Sequence, residues 1–114
     1  MHTLTIAGLS LNMAYSGRRF STPRLKAFKE QVHCMLPPIK GVNFSKMMGI
    51  EIVFGFSSKA SDVDNCCKVL IDSIATHYGF NDKLIYKMIV EKEIVKKGQE
   101  YIKFKLYNVE INKT

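Results

Sequence analysis

With 114 residues, the chain has the length of one domain with one core. Hydrophobic residues at 46% and charged residues at 24% exclude a disordered polymer, and no apolar run approaches the ~18 residues of a membrane helix. The net charge of +7 is carried almost wholly by the first half: residues 1–50 hold seven basic residues and one acid, residues 51–114 ten and nine. A basic segment beside one that keeps its carboxylates suits a polyanionic partner with chemistry close by. The start, MHTLTIAGLSLNMAYSGRR, lacks the charged head and cleavage site of a secretion signal, so a cytoplasmic protein without a membrane partner is expected.

In chain order, TLTIA (3–7) predicts a first strand with Leu4 and Ile6 on one face. Residues 8–17 read as loop, and Arg18-Arg19-Phe20 as a short second strand. Thr22 is placed to cap a helix whose first turn holds Pro23, where a missing N–H costs nothing. Leu25, Phe28, Val32 and Met35 recur at helical spacing until Pro37-Pro38. Arg24, Lys26 and Lys29 fall away from that apolar face. GIEIVFGF (49–56) alternates, putting Ile50, Ile52, Phe54 and Phe56 on one side of a strand. After the SSKAS loop a second helix is predicted from Asp62 to His77, with Val63, Cys66, Leu70 and Ile74 inward and Gly79 supplying a left-handed end. FNDK reads as loop. Residues 84–95 and 100–110 alternate as two long strands about Lys97-Gly98, a hairpin signal. Leu84, Tyr86, Met88 and Val90 share one face of the first, and Ile102, Phe104 and Leu106 one face of the second. The order β-(β)-α-β-α-β-β gives the fold class α/β: a single domain over 1–114, a mixed β-sheet with two main helices packed on it.

Three cysteines, two of them adjacent (Cys66, Cys67), carry neither a zinc spacing nor a disulfide framework. Reduced thiols packed as small hydrophobes are expected, with structural roles for His33 and His77.

The stretch SDVDNCCKVLID (61–72) concentrates charge in an otherwise apolar surrounding. Asp62 sits where loop becomes helix; in an extended entry it could converge with Asp64, two residues on. Within the helix Asp64, Lys68 and Asp72 recur at i, i+4 and i+8 along one stripe. A cap and an ion-pair ladder would explain all of this at a few tenths of a kcal/mol per pair. Yet two carboxylates ~4 Å apart repel by roughly 4 kcal/mol at an effective dielectric of 20. A divalent cation offsets that, and magnesium takes one or two carboxylates while keeping waters and phosphate oxygens. By spacing alone Asp82, after a helix of roughly 24 Å, falls at the end remote from Asp64.

The pattern Asp62-Val-Asp64-Asn65-Cys-Cys-Lys68, then Asp72, then Asp82-Lys-Leu-Ile85, resembles the RusA family of Holliday junction resolvases. The upstream segment from Leu11 to Ser21, L-N-x-x-Y-x-x-R-R-F-S, followed by a basic helix, is similar to that family's N-terminal region. The resemblance covers roughly residues 9–106. It implies a homodimeric, structure-selective endodeoxyribonuclease of DNA recombination and repair, bacterial or phage-encoded, that cuts four-way DNA junctions by paired symmetric cleavage. It implies Mg2+ as cofactor, with Mn2+ able to substitute. Asp62, Asp64 and Asp82 match the family's essential acids and would hold the metal; Lys68 matches its essential lysine; Asp72 matches a recurrent acid read as structural. The third acid would reach the site from the partner subunit or from a loop that folds back. Arg18, Arg19, Arg24, Lys26, Lys29 and Lys59 are the candidate DNA-binding residues. Two departures stand out: Asn81 replaces the first of a frequent acid pair, and SSKAS, with only Lys59, replaces a more basic, Pro-containing segment. The competing readings are a non-catalytic nucleic-acid-binding module on the same fold, and an assembly protein whose acids are caps and salt bridges.

Overall fold

The structure, a computed structural model, describes residues 1–16 and 20–110. Its elements are β1 (His2–Leu4), α1 (Leu11–Ala14), β2 (Tyr15–Ser16), β3 (Phe20–Ser21), α2 (Pro23–Met35), β4 (Met48–Phe56), α3 (Val63–Tyr78), a 3-10 turn (Asp82–Leu84), β5 (Ile85–Ile94) and β6 (Tyr101–Asn108). The α/β class and the mixed sheet with two main helices are those expected from the sequence. The first strand is shorter and earlier than predicted, and the segment read as loop contains α1 and β2; a four-residue helix leaves too little periodicity to read.

Both main helices begin and end on local chemistry. Thr22 caps α2 through a hydrogen bond from the Leu25 amide to its hydroxyl (3.4 Å), with Pro23 in the first turn. Leu25, Phe28 and Val32 are buried as expected, but Met35 is exposed and Leu36, the helix's last cap, is buried in its place. Gly79 ends α3 at φ 73°, a left-handed conformation that favours glycine.

The four-stranded sheet has the order β1-β6-β4-β5. β4 runs antiparallel to β6 and parallel to β5, so β4–α3–β5 is a crossover unit. The hairpin expected about Lys97-Gly98 is therefore not formed. Gly98 does make the turn (φ 91°), but the two strands it joins lie on opposite sides of β4. A turn signal reports where the chain reverses, not which strand it then pairs with.

One sheet face is the core. Ile50 lies opposite Leu106, Ile52 opposite Phe104 and Phe54 opposite Ile102, all buried beneath α2 and α3 with Leu4, Val69, Leu70 and Ile74. On the other face Gly49 and Gly55 lie opposite Tyr107 and Tyr101. A Cβ at either glycine would meet the tyrosine ring at 2.5 or 2.6 Å, so each ring lies down on bare backbone. Tyr101 thereby reaches across β4 to donate a hydrogen bond to Glu93 on β5. No helix of the described residues is long and apolar enough to cross a membrane.

Candidate active site

Asp62 does act as the cap. Its backbone is extended (φ −107°, ψ 118°) and its Oδ1 accepts from the Asp64 amide at 3.0 Å. Its Oδ2 accepts from the Asn65 side-chain amide at 3.4 Å. The extended entry is present, but the Asp62 carboxylate is turned to the helix's own donors. Here an anion sits favourably on the positive end of the helix.

Asp64 and Lys68 lie on the flank of α3 that faces β5. With Asp82 they line one cavity of about 310 Å³, whose apolar wall includes Ile71, Ile85 and Met88. Lys68 Nζ donates to Asp72 Oδ1 at 2.9 Å and to Asp82 Oδ2 at 3.5 Å. The hydrogen bond to Asp72 is the main cause that holds this ammonium above its ordinary range; partial desolvation opposes it, and the charges of Asp72 and Asp82 reinforce it.

Asp82 therefore reaches the lysine within a single chain. The spacing estimate placed it too far away because it measured along the helix axis alone. Gly79 reverses the chain, and Asn81 caps the 3-10 turn by accepting from the Lys83 amide at 3.0 Å. That turn starts at Asp82 and hands on to β5, which runs back alongside α3. Lys68, with a long stem, spans what remains. Asn81, which replaces the first of a frequent acid pair, thus has a structural use as the cap of that turn.

The model of the family described as Endodeoxyribonuclease RusA matches residues 10–105. The chain belongs to the RusA family of endodeoxyribonucleases. Membership implies a Holliday junction-resolving endodeoxyribonuclease. A search of the curated proteins found no match. The matched span holds Asp62, Asp64, Lys68, Asp72 and Asp82, and so both walls of the cleft.

In this RusA-family chain the basic residues spread over several surfaces. Arg24, Lys26 and Lys29 are exposed along α2, and Lys59 is exposed in the loop before α3. Arg18 and Arg19 lie outside the described residues. Lys29 borders a second cavity, of about 340 Å³, on the α2 side of α3, away from the Asp64–Asp82 cleft. There His33 and His77 meet, Nδ1 to Nδ1, at 2.6 Å with rings edge to face; one imidazole donates and the other accepts. Burial, and then the charge of His33, pulls the His77 pKa down. The structural roles expected for these two histidines become one role, a bridge between helices.

Cys66 and Cys67 are buried and unpaired. Burial first, then the nearby Asp62 carboxylate and Cys67, pushes the Cys66 thiol up to about 11. Cys67 is raised by burial and by Asp64. Both are inert fillers of the core, whereas Cys34 is exposed on α2.

Among the described residues no three His, Cys, Asp or Glu side chains gather closely enough to hold a metal ion. A three-aspartate centre is thus not assembled in one chain. Asp64 and Asp82 on one cleft are a smaller set of hard oxygen donors, and one or two carboxylates are what magnesium requires when phosphate and water complete its shell. Of the ion-pair ladder expected along Asp64, Lys68 and Asp72, the Lys68–Asp72 rung forms, and Asp72 is the nearest partner of the lysine at the site. The i, i+4 spacing of Lys68 and Asp72 carried that signal.

Proposed function

We propose that this RusA-family chain is a metal-dependent, structure-selective endonuclease that resolves four-way DNA junctions by paired, symmetric phosphodiester cleavage, acting in the cytoplasm as a homodimer. The observation that carries the reading is the shared cleft: Asp64, Lys68 and Asp82, three residues matching the family's essential set, line one cavity. Asp64 and Asp82 would hold Mg2+, or Mn2+ in its place, with Asp62 at the neighbouring helix end. Held there, such an ion would provide a nucleophilic water at neutral pH and charge stabilisation at the scissile phosphate. Lys68 stays protonated and donates to a phosphate oxygen as negative charge develops there. Asp72 keeps that ammonium aimed into the cleft between turnovers. Ile71, Ile85 and Met88 form the apolar wall against which the phosphate is desolvated. Arg24, Lys26, Lys29 and Lys59, together with Arg18 and Arg19, supply phosphate contacts away from the cut, with affinity that falls steeply with salt.

A labelled four-way junction and a linear duplex of the same sequence, each incubated with and without magnesium, test the reading. Wild type is expected to place paired nicks in the junction alone, and Asp64→Asn or chelator to abolish them. The rival reading is a junction-binding module without catalysis. Tight junction binding with no cleavage in any divalent metal would establish that rival instead.

A further inference from the structure

A second lysine reaches the neighbourhood of α3, at the other end of the cleft from Lys68. Met88, Val90 and Lys92 alternate along β5 and stand opposite Ile50, Ile52 and Phe54 of β4, so all three lie on the helix-bearing face of the sheet. Met88 and Val90 belong to the cleft wall beside Asp64. Lys92 is the next position on, toward the start of α3. Its ammonium does not meet a carboxylate: among the described residues both ion pairs are made by Lys68. Lys92 Nζ donates instead to two main-chain carbonyls of the loop before α3, those of Lys59 and Ser61, each at 3.0 Å. The loop's own hydrogen bonds are internal, from the Ala60 amide to Ser58 Oγ and from the Ser61 amide to the Ser58 carbonyl, both at 3.2 Å. Among the described residues no other hydrogen bond ties 58–61 to the sheet.

The Ser61 carbonyl matters most. It shares a planar peptide with the Asp62 amide, so any swing of that peptide turns φ of Asp62. The extended value, φ −107°, lets Asp62 Oδ1 accept from the Asp64 amide at 3.0 Å and begin the helix where it does. We infer that Lys92 is a positioning residue of the site: from β5 it pins the entry of α3, and so sets where Asp62 and Asp64 stand against the Asp82 side of the cleft. The inference rests on the proposed cleavage at that cleft and adds to it a residue outside the stretches 62–72 and 82–85. Each end of the cleft is then bridged by one ammonium. Lys68 ties α3 to the turn at Asp82, and Lys92 ties β5 to the loop at Ser61. The choice of carbonyls has a chemical consequence. A lysine that held the entry through Asp62 or Asp64 would occupy the oxygens that a divalent cation needs. Held by neutral carbonyls, Lys92 fixes the backbone and leaves those carboxylates their charge. Precision of this kind weighs on rate, since a displacement of about 1 Å can cost about 100-fold.

Two variants make the test: Lys92→Met, which keeps the stem and loses the donors, and Lys92→Arg, which keeps donors. Hydrogen exchange at the Asp64 amide, followed by NMR on the full chain, reads the helix entry without metal or DNA. Lys92→Met is expected to speed that exchange about tenfold, and Lys92→Arg to recover most of the loss. On a saturating four-way junction with Mg2+, Lys92→Met should slow single-turnover cleavage about tenfold or more, again with recovery in Lys92→Arg. Junction affinity in the absence of divalent metal should stay within about threefold of wild type, because the lysine is not a phosphate contact. Unchanged exchange at Asp64 overturns the inference. Faster exchange with a wild-type cleavage rate also overturns it, leaving Lys92 a staple of the loop alone. A fall in affinity large enough to account for the slower cleavage does the same, by making Lys92 a phosphate contact. A wild-type chain that cuts no junction overturns the proposed function, and the exchange result then still decides whether Lys92 sets the Asp62–Asp64 entry.

Discussion

Lys68 is held by two carboxylates of different standing. Asp72, one turn along the same helix at 2.9 Å, is a local partner; Asp82, at 3.5 Å, arrives from the far side of a chain reversal. An exposed i, i+4 pair contributes only a few tenths of a kcal/mol, so neither partner matters much to the fold. Their effect is on position and proton affinity. Lys68→Ala is expected to slow single-turnover junction cleavage by about 100-fold or more, the range for losing one donor aimed at developing charge. The urea midpoint of the same variant should change by less than the equivalent of about 1 kcal/mol. Asp72→Asn should lower the pKa of Lys68 toward its ordinary value, read by lysine NMR titration, and weaken cleavage less than Lys68→Ala does. A Lys68→Ala enzyme that cuts at the wild-type rate would remove the lysine from the chemistry.

At the level of elements, the flat tyrosines on β4 explain why a central strand tolerates two glycines. Gly55→Ala forces a methyl into the Tyr101 ring and should cost about 1–3 kcal/mol in chemical denaturation. In a Tyr101→Ala background the ring that supplies the three nearest atoms to that methyl is gone, so the double variant should be no worse than Tyr101→Ala alone; simple additivity would discard the explanation. The legibility of the elements follows the range of the forces that set them. Thr22-Pro23 and Asp62 at helix starts, and Gly79 at a helix end, act on neighbouring residues and could be read directly. The burial of Ile50, Ile52 and Phe54 followed from alternation. The pairing of β5 and β6 could not be read, because inserting β4 between them depends on contacts remote in sequence. For the same reason the approach of Asp82 to Lys68 was underestimated, while the motif that contains both residues was plain. The exposure of Tyr86 and Met88 also escaped alternation: the register shift between Met48 and Gly49 takes Tyr86 out of step, and the edge position leaves Met88 bare.

For the whole molecule, stability and charge are linked through the bridge between α2 and α3. His77 carries a depressed pKa in the folded chain, so between that value and the ordinary imidazole value near ~6.5 the unfolded chain binds more protons than the native one. Stability is then greatest above ~6.5 and declines as pH falls through the native value. Thermal melts from pH 7.5 to 5 should show this decline, and His77→Gln should flatten it; an unchanged slope in the variant would place the acid sensitivity elsewhere. Both walls of the cleft come from residues 64–90, a single crossover. The N-terminal third, with most of the excess positive charge, adds none of the groups around Lys68. If the proposed function holds, phosphate grip and phosphate chemistry are written in separate passages of the chain. On the proposed function, sequence change in the first would retune which branched DNA is held while the second goes on cutting.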